Sequence, residues 1–447
     1  MQIAPISQQI WDMKYRLKGP GGVAVDKTIE ESWRRVAAAL AEAEPSDREA
    51  WRERFEGALA DFHFLPAGRI LSGAGTGRKV TLFNCFVMGD IPDDMAGIFE
   101  HLKQAALTMQ QGGGIGYDFS TLRPKGAPVK GVGADASGPL SFMDVWDAMC
   151  RTIMSAGARR GAMMAVMRCD HPDIEAFIEA KREPGRLRMF NLSVLVSDAF
   201  MEAVRKDESW TLTFAGTHYK TLRARDLWDR IMRATYAYAE PGVIFIDRIN
   251  RLNNLYYCES IHATNPCGEQ PLPPYGVCLL GSINLARLVR NPFTTEATID
   301  ETELSALVAT AVRMLDNVID ISNYPLDQHR REAQTKRRIG LGVTGLADAL
   351  IQCGLRYGGQ DAVELTERWL AALRKAAYLA SAALAEEKGP FPLYDSERYL
   401  AGENIRSLEP EVQEAIRKHG IRMWTAPDSQ GIFGRLISRL RPYVRPV

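Results

Sequence analysis

The sequence predicts an α/β fold with a mainly parallel sheet. Two observations carry this prediction: short apolar segments with strand character alternate with longer segments of helical periodicity, and glycine-rich loops separate the two kinds. Residues 192–196 and 242–246 have the length and composition of buried strands, and helices are predicted between them at 198–205 and 224–239.

The other predicted elements follow in chain order. Residues 1–65 are predicted to be helical, because apolar side chains recur at helical spacing in 28–41 and again in 49–64. Residues 81–88 have the composition of a buried strand, and this strand would carry Cys85. The same helical periodicity predicts helices at 142–155, 302–321, 345–353, 362–386 and 409–419.

Composition sets the class of protein. The chain has 447 residues, of which 46% are hydrophobic and 25% charged, and its 55 basic and 55 acidic side chains give no net charge. Such a balance offers no general attraction to nucleic acid or to an anionic membrane. The first residues lack the pattern of a signal peptide, and no apolar run approaches the ~18 residues of a membrane span. We therefore expect a cytoplasmic globular protein with ample material for a large core.

The seven cysteines are scattered through the chain without a CxxC pair, so the sequence predicts no zinc-type metal site. In a reducing cytosol these side chains stay thiols unless a catalytic cycle oxidises some of them. Four of the seven are assigned to packing in the core: Cys150, Cys169, Cys258 and Cys353.

The segment Asn265-Pro266-Cys267-Gly268-Glu269 places a carboxamide, a thiol and a carboxylate within five residues. Proline fixes its own φ and glycine admits strained backbone angles, so this segment suits a tight loop rather than a helix or a strand. Two interpretations stay open from the segment alone. A thiol at a loop tip beside a carboxylate suits catalysis, whereas a buried cysteine in a turn is chemically inert.

Three glycine-containing segments are candidates for ligand contact. Residues 340–345 match the spacing of a dinucleotide-binding fingerprint, but the segment before them is polar and basic, which favours close backbone packing instead. Residues 111–116 contain adjacent glycines that suit either a close approach to a ligand or a flexible turn. Arg159 and Arg160 stand beside Gly161, and they suit either a phosphate contact or a solvated helix end.

Taken together, these segments resemble the adenosylcobalamin-dependent (class II) ribonucleotide reductases, and specifically the ribonucleoside-diphosphate reductases. The most specific part is Asn-Pro-Cys-Gly-Glu-Gln at 265–270 with a second cysteine, Cys278, eleven residues after Cys267, and with Phe-Asn-Cys-Phe upstream at 83–86. The segments that carry the resemblance are 64–70, 82–88, 109–119, 137–142, 264–270, 278–284 and 338–347.

The resemblance implies a ten-stranded α/β barrel with the reactive cysteine on a loop inside it. On this basis we expect an N-terminal helical region at 1–65, a partial catalytic barrel at 66–423 and a divergent tail at 424–447. Family members continue past residue 422 into a loop that binds the substrate phosphates, and the tail here does not align to it. We therefore expect a barrel that is incomplete, and an isolated chain that is weakly active or inactive.

The resemblance also implies roles for the motif residues in making deoxyribonucleotides for DNA synthesis. Cys267 would hold a transient thiyl radical, started by adenosylcobalamin, and would take the 3′ hydrogen of the ribonucleotide. Glu269 would act as the general base, and Asn265 would hydrogen-bond the ribose hydroxyls. Cys85 and Cys278 would be the reducing pair and would end as a disulfide.

Further residues and partners follow from the same resemblance. Asn84, Cys85 and Gly113 would lie beside the substrate, together with Pro266 and Gly268 of the loop. A nucleoside triphosphate effector would bind at the interface of a homodimer, and a thioredoxin-like protein would re-reduce the cysteine pair. The candidates for the loops that sense the effector are Ser137, Arg159, Arg160 and Gly161.

Two other functions are compatible with the sequence. The chain could be a non-catalytic nucleotide-binding or assembly half that needs a separate C-terminal chain. It could also be the large subunit of an iron-dependent (class I) reductase, which uses a separate radical-generating partner. The motif Asn-Pro-Cys-Gly-Glu-Gln favours the cobalamin class.

Overall fold

The computed structural model describes residues 3–129, 133–153 and 161–425. The chain divides into two compact units. The second unit is Cys85–Val277, and the first contains the described residues before it and after it. Within the described ranges, no helix is both long and apolar enough to cross a membrane.

The first unit begins with helices that have clear sequence signals at their starts. Pro5 opens the first helix, and the Thr28 hydroxyl accepts a hydrogen bond from the Glu31 amide at the start of the second. The elements here are α1 Pro5–Lys14, α2 Ile29–Ala41, α3 Arg48–Leu59, β1 Phe64–Pro66 and α4 Gly68–Gly73.

The second unit is built on a parallel sheet. Its strands are β2 Cys85–Val87, β3 Gly114–Asp118, β4 Pro128–Val129, β5 Ala134–Asp135, β6 Met163–Arg168, β7 Phe190–Val196, β8 Ser209–Phe214, β9 Thr217–Arg223, β10 Gly242–Phe245, β11 Ala263–Thr264, β12 Pro271–Leu272 and β13 Val277–Cys278. Its helices are α5 Met95–Gln110, α6 Pro139–Thr152, α7 Ile174–Ile178, α8 Asp198–Lys206, α9 Ala224–Tyr238 and α10 Ile246–Leu252.

The parallel strands are ordered β10-β7-β6-β3-β2. The side chains of β2, β6 and β7 are almost all buried on both faces, which explains why the sequence shows nearly continuous apolar runs there. An aromatic cluster packs between the sheet and α6: the ring of Trp146 lies 5.8 Å from that of Tyr117 and 5.7 Å from that of Phe119. This core holds β3 firmly in place.

The rest of the first unit is mostly helical. Its helices are α11 Leu285–Leu288, α12 Glu301–Ile321, α13 Asp327–Lys336, α14 Leu346–Gln352, α15 Gln360–Lys388, α16 Ser396–Ala401, α17 Glu403–Arg406 and α18 Pro410–His419. Its strands are β14 Leu280–Asn284, β15 Val289–Arg290, β16 Thr298–Ile299, β17 Arg338–Thr344 and β18 Trp424–Thr425. A sheet with the order β1-β14-β17-β18 is parallel except for β1.

A buried ionic cluster ties the helices of the first unit together. The carboxylate of Glu44, which is fully buried, accepts hydrogen bonds from Arg313 Nε at 2.8 Å and Asn317 Nδ2 at 2.6 Å. Lys388 Nζ lies 3.4 Å away. Burial alone would raise the pKa of Glu44, but these donors lower it on balance, so the group is held ionised.

The predicted α/β class with parallel strands is confirmed, and neither sheet closes into a barrel within the described ranges. The long helices lie where their periodicity placed them. The hairpin of β8 and β9 was not predicted, because its exposed face carries polar side chains and no strict apolar alternation. The glycines at 340 and 342 lie inside β17, and Gly345 packs closely against Asn284 and Ala286, as the packing interpretation predicts.

Candidate active site

The segment 265–270 forms a tight loop between β11 and β12. Its backbone bonds to itself: the Asn265 amide donates to the Gln270 carbonyl at 3.2 Å, and the Gly268 amide donates to the Asn265 carbonyl at 3.0 Å. Gly268 has φ of 83°, a left-handed conformation that glycine adopts without strain. The loop prediction is therefore confirmed.

Asn265 is fully buried and closes this loop from inside. Its side-chain oxygen accepts a hydrogen bond from the Gln270 amide at 2.9 Å. Its amide nitrogen has no hydrogen-bond partner in the part of the chain that the structure describes. An unpaired buried N–H group costs about 1–3 kcal/mol, so this nitrogen is suited to a ligand that accepts a hydrogen bond.

Cys267 and Glu269 project from the same loop and are both exposed. The interpretation of Cys267 as a buried, inert cysteine is therefore wrong. A thiol, a carboxylate and a carboxamide whose nitrogen has no partner among the described residues thus lie within one loop, on a backbone fixed by its own hydrogen bonds.

Strand β3 supports the loop from below through its glycines. A methyl group built on Gly116 would lie 1.8 Å from the Thr264 carbonyl oxygen, and one on Gly114 would lie 2.8 Å from the Pro266 ring. The backbones can approach this closely only because both residues lack a side chain. The same methyl on Gly114 would lie 3.5 Å from the Cys85 sulfur, so Gly114 lies between Cys85 and the loop.

Cys85 itself is buried in β2, beside β3. The Val87 amide in this strand donates to the Gly276 carbonyl at 2.8 Å, and Cys278 follows two residues after Gly276. The side chain of Cys278 lies outside the described part of the structure. The expected pairing of Cys85 with Cys278 therefore stays a prediction.

Two further expected substrate residues have packing contacts of their own. Gly113 is buried, and a methyl group there would meet the Phe86 ring at 2.5 Å. Asn84 belongs to the first unit, where its side-chain oxygen accepts a hydrogen bond from the Arg69 amide at 3.3 Å. Neither contact tests a role in substrate binding.

Asn191 is a contact that the sequence did not reveal. It is an exposed polar residue inside the apolar strand β7, and its side-chain nitrogen donates to the Pro266 carbonyl at 2.6 Å. The only local sign of this contact is a single polar residue within an apolar strand. The strand sequence does not show that Asn191 contacts the loop 75 residues later.

The expected effector residues are only partly described. Arg159 and Arg160 lie outside the described residues. Ser137 is exposed, and its carbonyl accepts a hydrogen bond from the Ser141 hydroxyl at 3.0 Å. A methyl group on Gly161 would lie 2.5 Å from the Cys150 sulfur, so this glycine allows close packing against α6. Their role in sensing an effector stays a prediction.

The remaining cysteines divide by burial. Burial raises the pKa of the Cys150 thiol to about 11 and that of Cys169 to about 12, so both are inert packing residues, as predicted. Cys353 is half-buried. The packing assignment is wrong for Cys258, which is exposed in the turns after α10.

Known families match this chain over nearly its whole length. The family model described as the ribonucleotide reductase barrel domain matches residues 83–426, and the one described as the ribonucleotide reductase all-alpha domain matches residues 1–79. The first match includes the loop, the strand with Cys85 and the glycine-rich strand β3.

Individual relatives agree with this. The chain is 42% identical over 392 residues to a protein named vitamin B12-dependent ribonucleoside-diphosphate reductase from Mycobacterium tuberculosis (strain CDC 1551 / Oshkosh), a match that covers 86% of this chain and 56% of the relative. It is 40% identical over 358 residues to a protein of the same name from Thermoplasma acidophilum, covering 79% and 46%.

A more distant match is the ribonucleoside-diphosphate reductase subunit alpha of Chlamydia pneumoniae, 29% identical over 413 residues and covering 84% of this chain and 39% of the relative. The chain thus spans about half the length of these curated B12-dependent relatives. Because the barrel-domain model alone matches more than half of the chain, the chain belongs to the ribonucleotide reductase family.

Proposed function

We propose that this chain carries the catalytic site of a reductase that converts ribonucleoside diphosphates to 2′-deoxyribonucleotides in the cytoplasm. The observation that supports this most is the loop itself: an exposed thiol and an exposed carboxylate stand beside a buried carboxamide nitrogen that has no partner among the described residues. A ribose ring with two adjacent hydroxyls can accept that hydrogen bond. Similarity to relatives named vitamin B12-dependent ribonucleoside-diphosphate reductase supports the same substrate class.

The donor set fits adenosylcobalamin as the cofactor. Cys267 would face it, because this thiol is exposed at the loop and a sulfhydryl is a good hydrogen-atom donor. When bound, adenosylcobalamin supplies a carbon-centred radical through homolysis of its cobalt–carbon bond. The contribution of this chain is to place the Cys267 sulfur on a loop whose backbone is fixed by its own hydrogen bonds.

Cys267 would then work on the ribose. Having lost its thiol hydrogen atom, its sulfur takes the hydrogen atom from the 3′ carbon and later returns one to the same carbon. Glu269 takes the proton of the 3′ hydroxyl, which helps the 2′ hydroxyl leave as water, and such base catalysis contributes about 10²–10⁴-fold. The Asn265 amide nitrogen donates to a ribose hydroxyl and holds the ring against the thiol.

The two electrons for the reduction come from Cys85 and Cys278. The C2′–OH bond breaks and a C2′–H bond forms, while the two thiols become one disulfide and lose two hydrogen atoms in total. An external dithiol, such as a thioredoxin-like protein, then reduces that disulfide by thiol–disulfide exchange. The nearness of Cys85 to Gly114, which also supports Pro266, is consistent with this role.

We further propose that the protein works as a homodimer that also binds a nucleoside triphosphate effector. Apolar side chains are exposed on the adjacent helices α5 and α6: Met95, Phe99 and Leu107 on the first, and Val145 on the second. A second copy of the chain would cover these side chains. Phe99→Asp is expected to give a monomer in sedimentation velocity, whereas an unchanged sedimentation coefficient would remove this part of the proposal.

The test of the catalytic proposal is a single turnover. The reduced chain is incubated with adenosylcobalamin and a ribonucleoside diphosphate, and the deoxyribonucleotide is quantified, with Cys267→Ser and a sample without cofactor as controls. We expect product that depends on the cofactor and is absent with Cys267→Ser, and a slow rate is sufficient for this comparison. Product that survives in Cys267→Ser, or product that forms equally well without the cofactor, would overturn the proposal.

A further inference from the structure

His262 lies just before β11, five residues ahead of Cys267, and no role is assigned to it above. Its Nε2 atom is 3.5 Å from Asp90 Oδ1, and its Nδ1 atom is 4.0 Å from Asp118 Oδ2. The His262 side chain is partly exposed, whereas that of Asp118 is only 8% exposed. An imidazole thus stands between one exposed and one buried carboxylate.

This contact completes a regular pattern along β3. Gly114 lies against Pro266, Gly116 lies against the Thr264 carbonyl, and Asp118 faces His262. Alternate residues of the strand therefore meet alternate residues of the segment that leads into the loop. The first two contacts only allow a close approach, because glycine offers no attraction of its own. Only the third contact, between Asp118 and His262, can attract the segment to the strand.

The charges around His262 come from several elements. Asp90 follows β2, Asp118 ends β3, and Arg168 at the end of β6 acts on Asp118. Asp90 also interacts electrostatically with His101 of α5 and with Tyr275. Two carboxylates thus face His262 directly.

Asp118 is anchored firmly enough to serve as a fixed point. Its carboxylate accepts a hydrogen bond from the Ser120 amide at 2.8 Å, and the Ser120 hydroxyl accepts one from the Arg168 amide at 2.7 Å. Burial raises the pKa of Asp118, which these hydrogen bonds and the charges of His262 and Arg168 partly offset. The Asp118 side chain is therefore held by Ser120 and also faces His262.

We propose that His262 is a positioning residue: paired with Asp118 and Asp90, its side chain holds residues 262–266 on β3 and so fixes the place of the Cys267 sulfur. The effect on turnover rests on the proposed function, but the effect on the loop does not. Because displacement of a reacting group by about 1 Å can cost a factor of ~100 in rate, the loss of this pairing lowers kcat. We expect KM for the nucleotide to stay nearly unchanged, since the His262 ring contacts Asp90 and Asp118 and lies outside the loop 265–270 that carries the proposed substrate contacts.

The loop offers a readout that needs no activity. The amides of Asn265, Gly268 and Gln270 are all bonded inside the loop, so hydrogen exchange in a peptide that covers them reports how firmly it is held. Exchange is measured on the full chain for His262→Gln, Asp118→Asn and the double variant. The matched control is His218→Gln, which alters an exposed histidine on β9.

We expect His262→Gln to speed exchange of these amides about 10-fold and to lower kcat about 10-fold, and the double variant to be no worse than the poorer single variant. His218→Gln should match the native chain in both measurements. Unchanged exchange in His262→Gln, or effects that add in the double variant, would overturn the proposal. If turnover survives in Cys267→Ser while the exchange results hold, the proposed function fails and the positioning role stands.

Discussion

Replacement of Gly116 by alanine tests the contact on which the candidate site depends most. The added methyl group would lie 1.8 Å from the Thr264 carbonyl oxygen and 2.9 Å from its carbon, both of which are backbone atoms. Contacts shorter than 3.0 Å essentially do not occur, so this carbonyl must move away by at least about 1.2 Å. Thr264 precedes Asn265 directly, so the loop has to move with it.

Two consequences of Gly116→Ala can be given a size. Forcing a methyl group into a packed site costs about 1–3 kcal/mol of unfolding free energy, which exceeds the ~0.5–1 kcal/mol that alanine gains over glycine within a strand. A loop displacement of about 1 Å also lowers turnover by a factor of ~100. Stability is followed by urea unfolding, and loop movement by hydrogen exchange of the peptide that contains Asn265.

Gly342→Ala is the matched control, because Gly342 also lies in a parallel strand but a methyl group there meets nothing closer than the Ser282 hydroxyl at 3.8 Å. We expect this variant to stay within ~0.5 kcal/mol of the native chain. If Gly116→Ala matched Gly342→Ala in unfolding and in exchange, the close approach of β3 to the loop would be refuted.

Three other predictions follow from the described contacts. Glu44→Gln should cost about 3 kcal/mol in urea unfolding, because it leaves Arg313 and Lys388 short of negative charge in a buried cluster. The pKa of Glu44 is lowered in the folded chain, so the native chain should also lose stability as the pH falls below ~4.3. Glu44→Gln should lose less stability over the same pH range. If the native chain and Glu44→Gln lost the same amount, this reasoning would be contradicted. Iodoacetamide near pH ~8 should alkylate Cys267 and Cys258 in the folded chain, because both are exposed. It should spare Cys150 and Cys169, whose thiols are buried and have pKa values of about 11 and about 12. Early alkylation of Cys150, detected by peptide mass spectrometry, would contradict this. Asn191→Ala removes the donor to Pro266 and should cost ~1 kcal/mol and speed exchange in the loop, whereas Asn323→Ala, which loses only an exposed 3.4 Å bond, should do neither.

The regular elements were largely predictable, because their signals are local. Apolar periodicity placed α12 at Glu301–Ile321 and α15 at Gln360–Lys388 within a few residues of the observed ends. Short polar strands such as β8 and β9 carry no such signal, since most of their side chains are exposed or only partly buried and show no strict apolar alternation. Their pairing depends on the hairpin turn and on the surface behind them.

The loop was predictable as a loop, but its support was not. Proline and glycine around Cys267 predict a tight turn, and adjacent glycines at 112–114 predict that another group approaches the backbone closely there. Which backbone makes that approach is a matter of tertiary contact, since Gly116 and Thr264 are far apart in sequence. The contact of Asn191 with Pro266 is equally distant, and no local pattern contains it.

The buried charged residues were also not predictable from the local sequence. Glu44, between α2 and α3, and Arg313 of α12 look like ordinary surface residues, yet both are almost completely buried and paired across 269 positions of sequence. A charge inside a protein is tolerated only with a partner. The partner becomes evident only when the helices are packed, so sequence reading assigned neither residue to the core.

The most direct test of the central claim, that Cys267 works on a ribonucleotide with Cys85 and Cys278 as the reducing pair, is a count of products and disulfides in one turnover. The fully reduced chain is given adenosylcobalamin and a ribonucleoside diphosphate without external reductant. Deoxyribonucleotide is then quantified together with the peptides that contain each cysteine. We predict one disulfide between Cys85 and Cys278 for each deoxyribonucleotide formed, and neither product in Cys267→Ser. Deoxyribonucleotide without that disulfide, or the disulfide and product together in Cys267→Ser, would contradict the account.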